Sequence, residues 1–159
     1  SARRATLVSA TTFQSGPVLG RVSRSGGVKM IAAFPPRLPE VDGVPETDVA
    51  LIKTYPGMPP SLLTAATDAG ARGIVLEGTG SGNVPVELFI TISELTEWDI
   101  PVVIASRART SGMTSLAAQV GAIGAGGLSP GHARVALMVA LANGGGVNSA
   151  REWFGHLLG

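Results

Sequence analysis

The segment Gly73-Ile-Val-Leu-Glu-Gly-Thr-Gly-Ser-Gly-Asn-Val-Pro85 constrains this chain more than any other. A short, wholly apolar run has room for a buried strand and nothing longer. It ends in a polar glycine-rich turn, and a proline then opens the next element. Strand, turn and helix start in that order predict an α/β unit whose loop gathers backbone N–H groups where ligands bind. Gly78, Gly80 and Gly82 permit tight or left-handed backbone. Asn83 sets an amide, both donor and acceptor, at the mouth of the turn.

The same grammar repeats on either side. Val49-Ala-Leu-Ile52 and Pro101–Ala105 are continuous apolar runs, as parallel strands covered on both faces require. Val120–Ile123 is a weaker fourth. Helical patterns fall between and after them: Ser61–Ala69, stopped by Gly70, then Pro85–Trp98, then a helix capped by Ser129 with Pro130 behind it, running to Leu141. Asn148 is placed as the cap of a terminal helix. The expected fold is a small open parallel sheet of about four strands with helices on both faces, flavodoxin- or Rossmann-like in class.

Residues 1–34 read differently. Extended runs at Ala5–Val8, Val18–Val22 and Val28–Ala33, with Ser25-Gly26-Gly27 between the last two, predict a β-hairpin. Residues 35–47 form a Pro-rich linker, since proline removes donors and fixes extended backbone. The α/β domain is expected over 48–159. A chain that opens on Ser1-Ala2 is expected to be processed or cut from something longer.

Composition narrows the function classes. Of 159 residues, 45% are hydrophobic and 14% charged, so the chain has material for a core. A formal net charge of +1, with Lys and Arg scattered, gives no electrostatic case for nucleic acid. With no cysteine there is no disulfide, thiolate catalysis or Cys-held metal, which fits a cytoplasmic location. No apolar run approaches the roughly 18 residues that span a bilayer.

Several side chains invite a chemical reading. His132 and His156 have neither ligand-spaced carboxylates nor a Ser–Asp set nearby, so they read as surface or interface histidines, and no metal is expected. Lys53-Thr54-Tyr55 ends the first parallel strand, where it either lines a pocket or simply covers the turn. Glu77 either holds its own loop or orients Asn83 or an arginine. Arg107, ending the third strand, either binds a carboxylate as a planar fork or pairs with Glu77 across adjacent strand ends. The glycine-rich turn lacks the Lys-Ser/Thr pair of a phosphate loop. Nor does an acidic residue end a strand about 20 positions on, as a dinucleotide site needs.

Taken together, Tyr55-Pro56-Gly57-Met58, Gly70–Pro85, Ile100–Arg107 and Leu128–Leu137 resemble the C-terminal domain of bacterial L-asparaginases, the threonine-nucleophile amidohydrolases. Ala2–Val22 looks like the tail of that family's N-terminal domain. The resemblance implies hydrolysis of L-asparagine to L-aspartate and ammonia by the full-length enzyme, without metal or other cofactor. It implies an isolated chain without activity, because the nucleophile and its activating residues belong to the N-terminal domain. Neither a Thr-Gly-Gly-Thr-Ile strand end nor a Thr-Asp-Thr run occurs here. The resemblance further implies a homo-oligomer, with Asn83 contributing to a neighbouring subunit's substrate site. Glu77 and Arg107 are the secondary binding candidates. Periplasmic-type relatives add a carboxylate after the third strand, but Ala108–Gln119 contains no Asp or Glu, which leaves that contact unassigned. A module binding an amino-acid effector and a purely structural oligomerisation domain are the alternatives from other classes.

Overall fold

The computed structural model describes residues 5–9, 12–15, 20–31, 39–108 and 115–158. The chain divides into two compact units, Ser1–Pro39 and Glu40–Gly159.

In the first unit β1 (Ala5–Ser9) pairs antiparallel with β2 (Thr12–Ser15), and β3 (Gly20–Val22) with β4 (Val28–Met30). The second pair turns through Ser23–Gly27, where Ser23 N–H donates to the Gly27 carbonyl at 2.8 Å and Gly26 sits at φ +85°. This is the hairpin that Ser25-Gly26-Gly27 predicts; β2 is an addition to the expected runs. Residues 35–38 of the Pro-rich linker lie outside the described residues, and 39–47 are described with no helix or strand.

The second unit is built on four parallel strands, β5 (Val49–Lys53), β6 (Gly73–Gly78), β7 (Val102–Ser106) and β8 (Ile123–Gly124), side by side in sequence order. Among the described residues five α-helices accompany them: α1 (Ser61–Asp68), α2 (Phe89–Glu97), α3 (Ser115–Gln119), α4 (Pro130–Ala140) and α5 (Val147–Leu158). Alternation along each strand feeds two cores. Ile74, Leu76, Val102 and Ile104 pack with Leu63 of α1, Ile92 and Leu95 of α2 and Ala117 of α3. Val75, Val103 and Ala105 face the other way, against Ala133 and Leu137 of α4 and Ala150 and Phe154 of α5. Sequential strand order with crossovers of one hand puts every crossover helix on the same face. The opposite face is left for the two helices that follow the last strand. Helices cover both faces as expected, but the order never reverses, so the sheet has no switch-point crevice of the doubly wound kind.

Three local expectations shift. The fourth strand is Ile123–Gly124, not Val120–Ile123, because the preceding residues end α3: Gly121 is left-handed at φ +87°, and Ala122 N–H donates to the Ala117 carbonyl at 3.1 Å. Pro85 is extended (ψ 136°) and precedes a 3-10 turn at Val86–Leu88, so α2 itself begins at Phe89. Asn148 lies inside α5. The group that satisfies this helix's first turn is the Asp99 carboxylate, which accepts from Val147 N–H at 2.8 Å. Ser129, by contrast, caps α4 as predicted, with its hydroxyl accepting from His132 N–H at 3.4 Å.

Candidate functional site

The C-terminal ends of β5, β6 and β7 converge on the Gly78–Asn83 turn. The turn closes on itself: Thr79 N–H donates to the Asn83 carbonyl at 3.0 Å, and Asn83 N–H to the Thr79 carbonyl at 2.8 Å. Gly80 and Gly82 adopt φ +49° and +82°, the left-handed backbone expected of them. Gly78 is there for a different reason. It is an extended strand residue, and a Cβ on it would meet the Asn83 carbonyl oxygen at 2.8 Å. From the neighbouring strand end, the buried Ser106 hydroxyl donates to the Gly80 carbonyl and accepts from Ala108 N–H at 3.0 Å. Arg107 N–H donates to the Gly78 carbonyl at 2.9 Å. On the other side, Thr54 donates to the Glu77 carbonyl from both its N–H (3.1 Å) and its hydroxyl (2.9 Å). Backbone and hydroxyl groups thus tie the turn to both adjacent strands.

The two sides of this turn do different things. On one side Glu77, with a side chain 20% exposed, accepts from Arg107 Nε at 2.8 Å, and Lys53 Nζ stands 4.0 Å from the same oxygen. Glu77 and Arg107 therefore meet as the strand-end pair that their positions allow, and Lys53 joins them. On the other side lies an open cleft of about 310 Å³, lined by Thr54, Tyr55, Thr79, Asn83, Val84 and Glu87 together with the Tyr55-Pro56-Gly57 turn and Pro85. Tyr55 is half exposed, while Thr54 is buried and holds the Tyr55 backbone against β6. Of the predicted candidates Thr54, Tyr55 and Asn83 line this cleft; Lys53, Glu77 and Arg107 do not.

Glu87 and Thr79 are cleft residues that the sequence pattern does not single out. The usable signal is spacing: Glu87 follows Asn83 by four residues, on the far side of a proline that starts a new turn. The two histidines stay apart from the cleft. His132 Nδ1 lies 2.6 Å from its own capping Ser129 hydroxyl, and His156 is 3.8 Å from Glu152 one helical turn earlier. Among the described residues no group of His, Asp and Glu side chains has the geometry to hold a metal ion. No helix among them is long and apolar enough to cross a membrane. Gln119 ends α3 with an exposed side chain, and residues 109–114 lie outside the described residues.

Comparison with known proteins places this architecture. A family model described as the glutaminase/asparaginase C-terminal domain matches residues 48–154. The chain belongs to the asparaginase/glutaminase family. It carries that family's C-terminal α/β domain. The thermostable L-asparaginase from Thermococcus kodakarensis superposes with a TM-score of 0.70 at 28% identity, over 89% of this chain and 47% of that one. A probable cytoplasmic L-asparaginase from Campylobacter jejuni shares the fold, with a TM-score of 0.65 at 24% identity over 86% of this chain and 46% of that one. Among curated proteins, a glutamyl-tRNA(Gln) amidotransferase subunit of Halobacterium salinarum is 42% identical over 107 residues, 62% of this chain and 24% of that protein. The corresponding amidotransferase subunit of Methanothermobacter thermautotrophicus is 44% identical over 62 residues, 39% of this chain and 14% of that protein. The chain thus spans about half of the solved relatives and less than a quarter of the curated ones.

Proposed function

We infer that this chain serves as the C-terminal part of an asparaginase-type amide hydrolase, lending Asn83 to the substrate pocket of a neighbouring subunit in a homo-oligomer. In this reading residues 1–34 are the end of the N-terminal domain and 35–47 the connection to it. The observation that carries the reading is the exposed Asn83 on a turn anchored to both neighbouring strands, at the rim of a cleft of about 310 Å³. A fixed amide can present its carbonyl to an ammonium, or its NH₂ to a carboxylate, without the cost of ordering a mobile loop. Glu77 and Arg107 then act mainly on the turn: their ion pair locks the strand ends that carry it.

The cleft residues bind and orient; none is a nucleophile held by a base. The test is ammonia release from L-asparagine and from L-glutamine by the 159-residue chain alone, for which no turnover is expected. Hydrolysis at enzymatic rates by this chain would overturn the division of labour.

A second reading has its own support. The sequence relatives at 42 to 44% identity are amidotransferase subunits, whereas the L-asparaginase of known structure is 28% identical. In that reading the amide nitrogen goes to a glutamyl-tRNA rather than being lost as ammonia, and the partner set would include a nucleic acid after all. Supplying the full-length protein and its partner subunits with glutamyl-tRNA(Gln), an amide donor and ATP separates the two readings, since only the second gives amidated tRNA.

A further inference from the structure

Residues 42–49 are strapped along α4 and the turn that follows it. Glu46 N–H donates to the Met138 carbonyl at 2.9 Å. The Arg134 guanidinium donates to the Val49 carbonyl at 2.7 Å and to the Thr47 carbonyl at 3.2 Å. The outermost fastener is Asn143, whose Nδ2 donates to the Asp42 carbonyl. Gly43, at φ +117°, lets the two meet, since a Cβ on it would overlap the Asn143 carboxamide. Asn143 is exposed and left-handed, at φ +59°, and the Gly144 that follows is also exposed, at φ +79°. A Cβ at Gly144 would meet nothing within 4 Å, so open space surrounds that side of the peptide.

The chain has three asparagines, and their neighbours differ: Asn83 precedes Val84, Asn148 precedes Ser149 within α5, and Asn143 precedes a glycine. A side-chain amide closes onto the next residue's nitrogen most easily when that residue has no Cβ to block the approach. We propose that Asn143 is a site of spontaneous deamidation, and that the modification unfastens segment 40–47 from α4. In the first step the Gly144 nitrogen attacks Asn143 Cγ and the Cγ–Nδ2 bond breaks. Nδ2 leaves as ammonia with the proton that the Gly144 nitrogen gives up. In the second step water opens the five-membered imide at either carbonyl, leaving aspartate or isoaspartate at position 143. The fold slows the first step, because Nδ2 is held on the Asp42 carbonyl and the ring closes only when this turn opens locally. The product cannot remake the clip. A carboxylate has no hydrogen to donate to the Asp42 carbonyl, and residues 40–48 already carry four carboxylates and no Lys or Arg.

The test ages the 159-residue chain in mildly alkaline buffer. Peptide mass mapping and isoaspartyl methyltransferase labelling follow each asparagine, and hydrogen exchange at the Glu46 amide reads the strap. Asn143 is expected to lose its nitrogen well before Asn83 and Asn148 and to yield both products. The ammonia released never exceeds a single equivalent per chain, which separates it from turnover. Gly43→Ala, which pushes the carboxamide off its acceptor, is expected to speed the loss about fivefold, the worth of one hydrogen bond. Asn143→Asp, which needs no ageing, is expected to raise exchange at Glu46 while exchange in β6 stays unchanged. The proposal is overturned if Asn83 or Asn148 is modified first, if Gly43→Ala leaves the rate unchanged, or if Glu46 exchanges no faster in Asn143→Asp. None of these outcomes depends on whether the protein hydrolyses asparagine.

Discussion

Set the Glu77 side of the Gly78–Asn83 turn against the Asn83 side. The residues come from the same strand ends, a few positions apart, yet one side is internally satisfied and the other is open. Glu77 meets two cations, and Thr54 donates twice to its carbonyl. Asn83 and Glu87 look into a cleft with no such partners among the described residues. The contrast teaches that charge at a strand end does not by itself mark a site. What marks one is polar capacity left over after the loop has been held together.

The sharpest way to break the contrast is to spoil the turn that both sides share. Gly78→Ala places a methyl 2.8 Å from the Asn83 carbonyl oxygen and 3.1 Å from the Gly82 carbonyl carbon, both backbone atoms with little freedom to move. The expected loss is about 1–3 kcal/mol of stability, read by urea unfolding. Retained stability would mean that the turn is looser than its hydrogen bonds indicate.

A smaller effect is expected from Arg107→Gln. The pair is partly solvent-screened, with side chains 48% and 20% exposed, so its removal should cost about 0–1 kcal/mol and shrink further in high salt. If Arg107 bound ligand instead, this variant would lower affinity with no change in stability, and the two sides of the turn would have exchanged roles.

The smallest stability change belongs to Asn83→Ala. An exposed side chain with no hydrogen-bond partner among the described residues should shift stability by less than about 0.5 kcal/mol. If the proposed function holds, the same change in the full-length protein should lower kcat/KM by about tenfold to a hundredfold, from the loss of one substrate hydrogen bond. Comparable damage to stability and activity would reduce Asn83 to a loop residue and remove the contrast.

Much of the fold was legible because its signals are local. The continuous apolar runs became β5, β6 and β7, since a strand covered on both faces needs apolar residues on both. Ser129-Pro130 opened α4, and Gly70, at φ +101°, ended α1. Val120 misled because an apolar residue just after a short helix looks like the start of a strand until the left-handed Gly121 is recognised as that helix's stop. The Glu77–Arg107 pair was visible as an option, since neighbouring parallel strands in register bring their ends together. Tyr55 could be placed at a strand end, but not in a shared cleft with Glu87. That cleft needs β5, the Gly78–Asn83 turn and the start of the following helix at once.

The terminal helix shows where sequence stops and tertiary structure begins. Its helical pattern sufficed to place α5, and Asn148 looked like its cap. The group that serves is Asp99, 48 positions away, held at φ +62° in the turn before β7 with its carboxylate on Val147 N–H. Gly146 leaves room for it, since a side chain there would strike that carboxylate and displace the cap. Sequence by itself determined which segments are strands and helices, because hydrophobic period, prolines and glycines act over a few residues. Which carboxylate is neutralised, which caps a helix and which is left facing a cleft was decided only when the strands lay side by side. Those outcomes depend on distances of about 3–4 Å between residues tens of positions apart, to which no local pattern is sensitive.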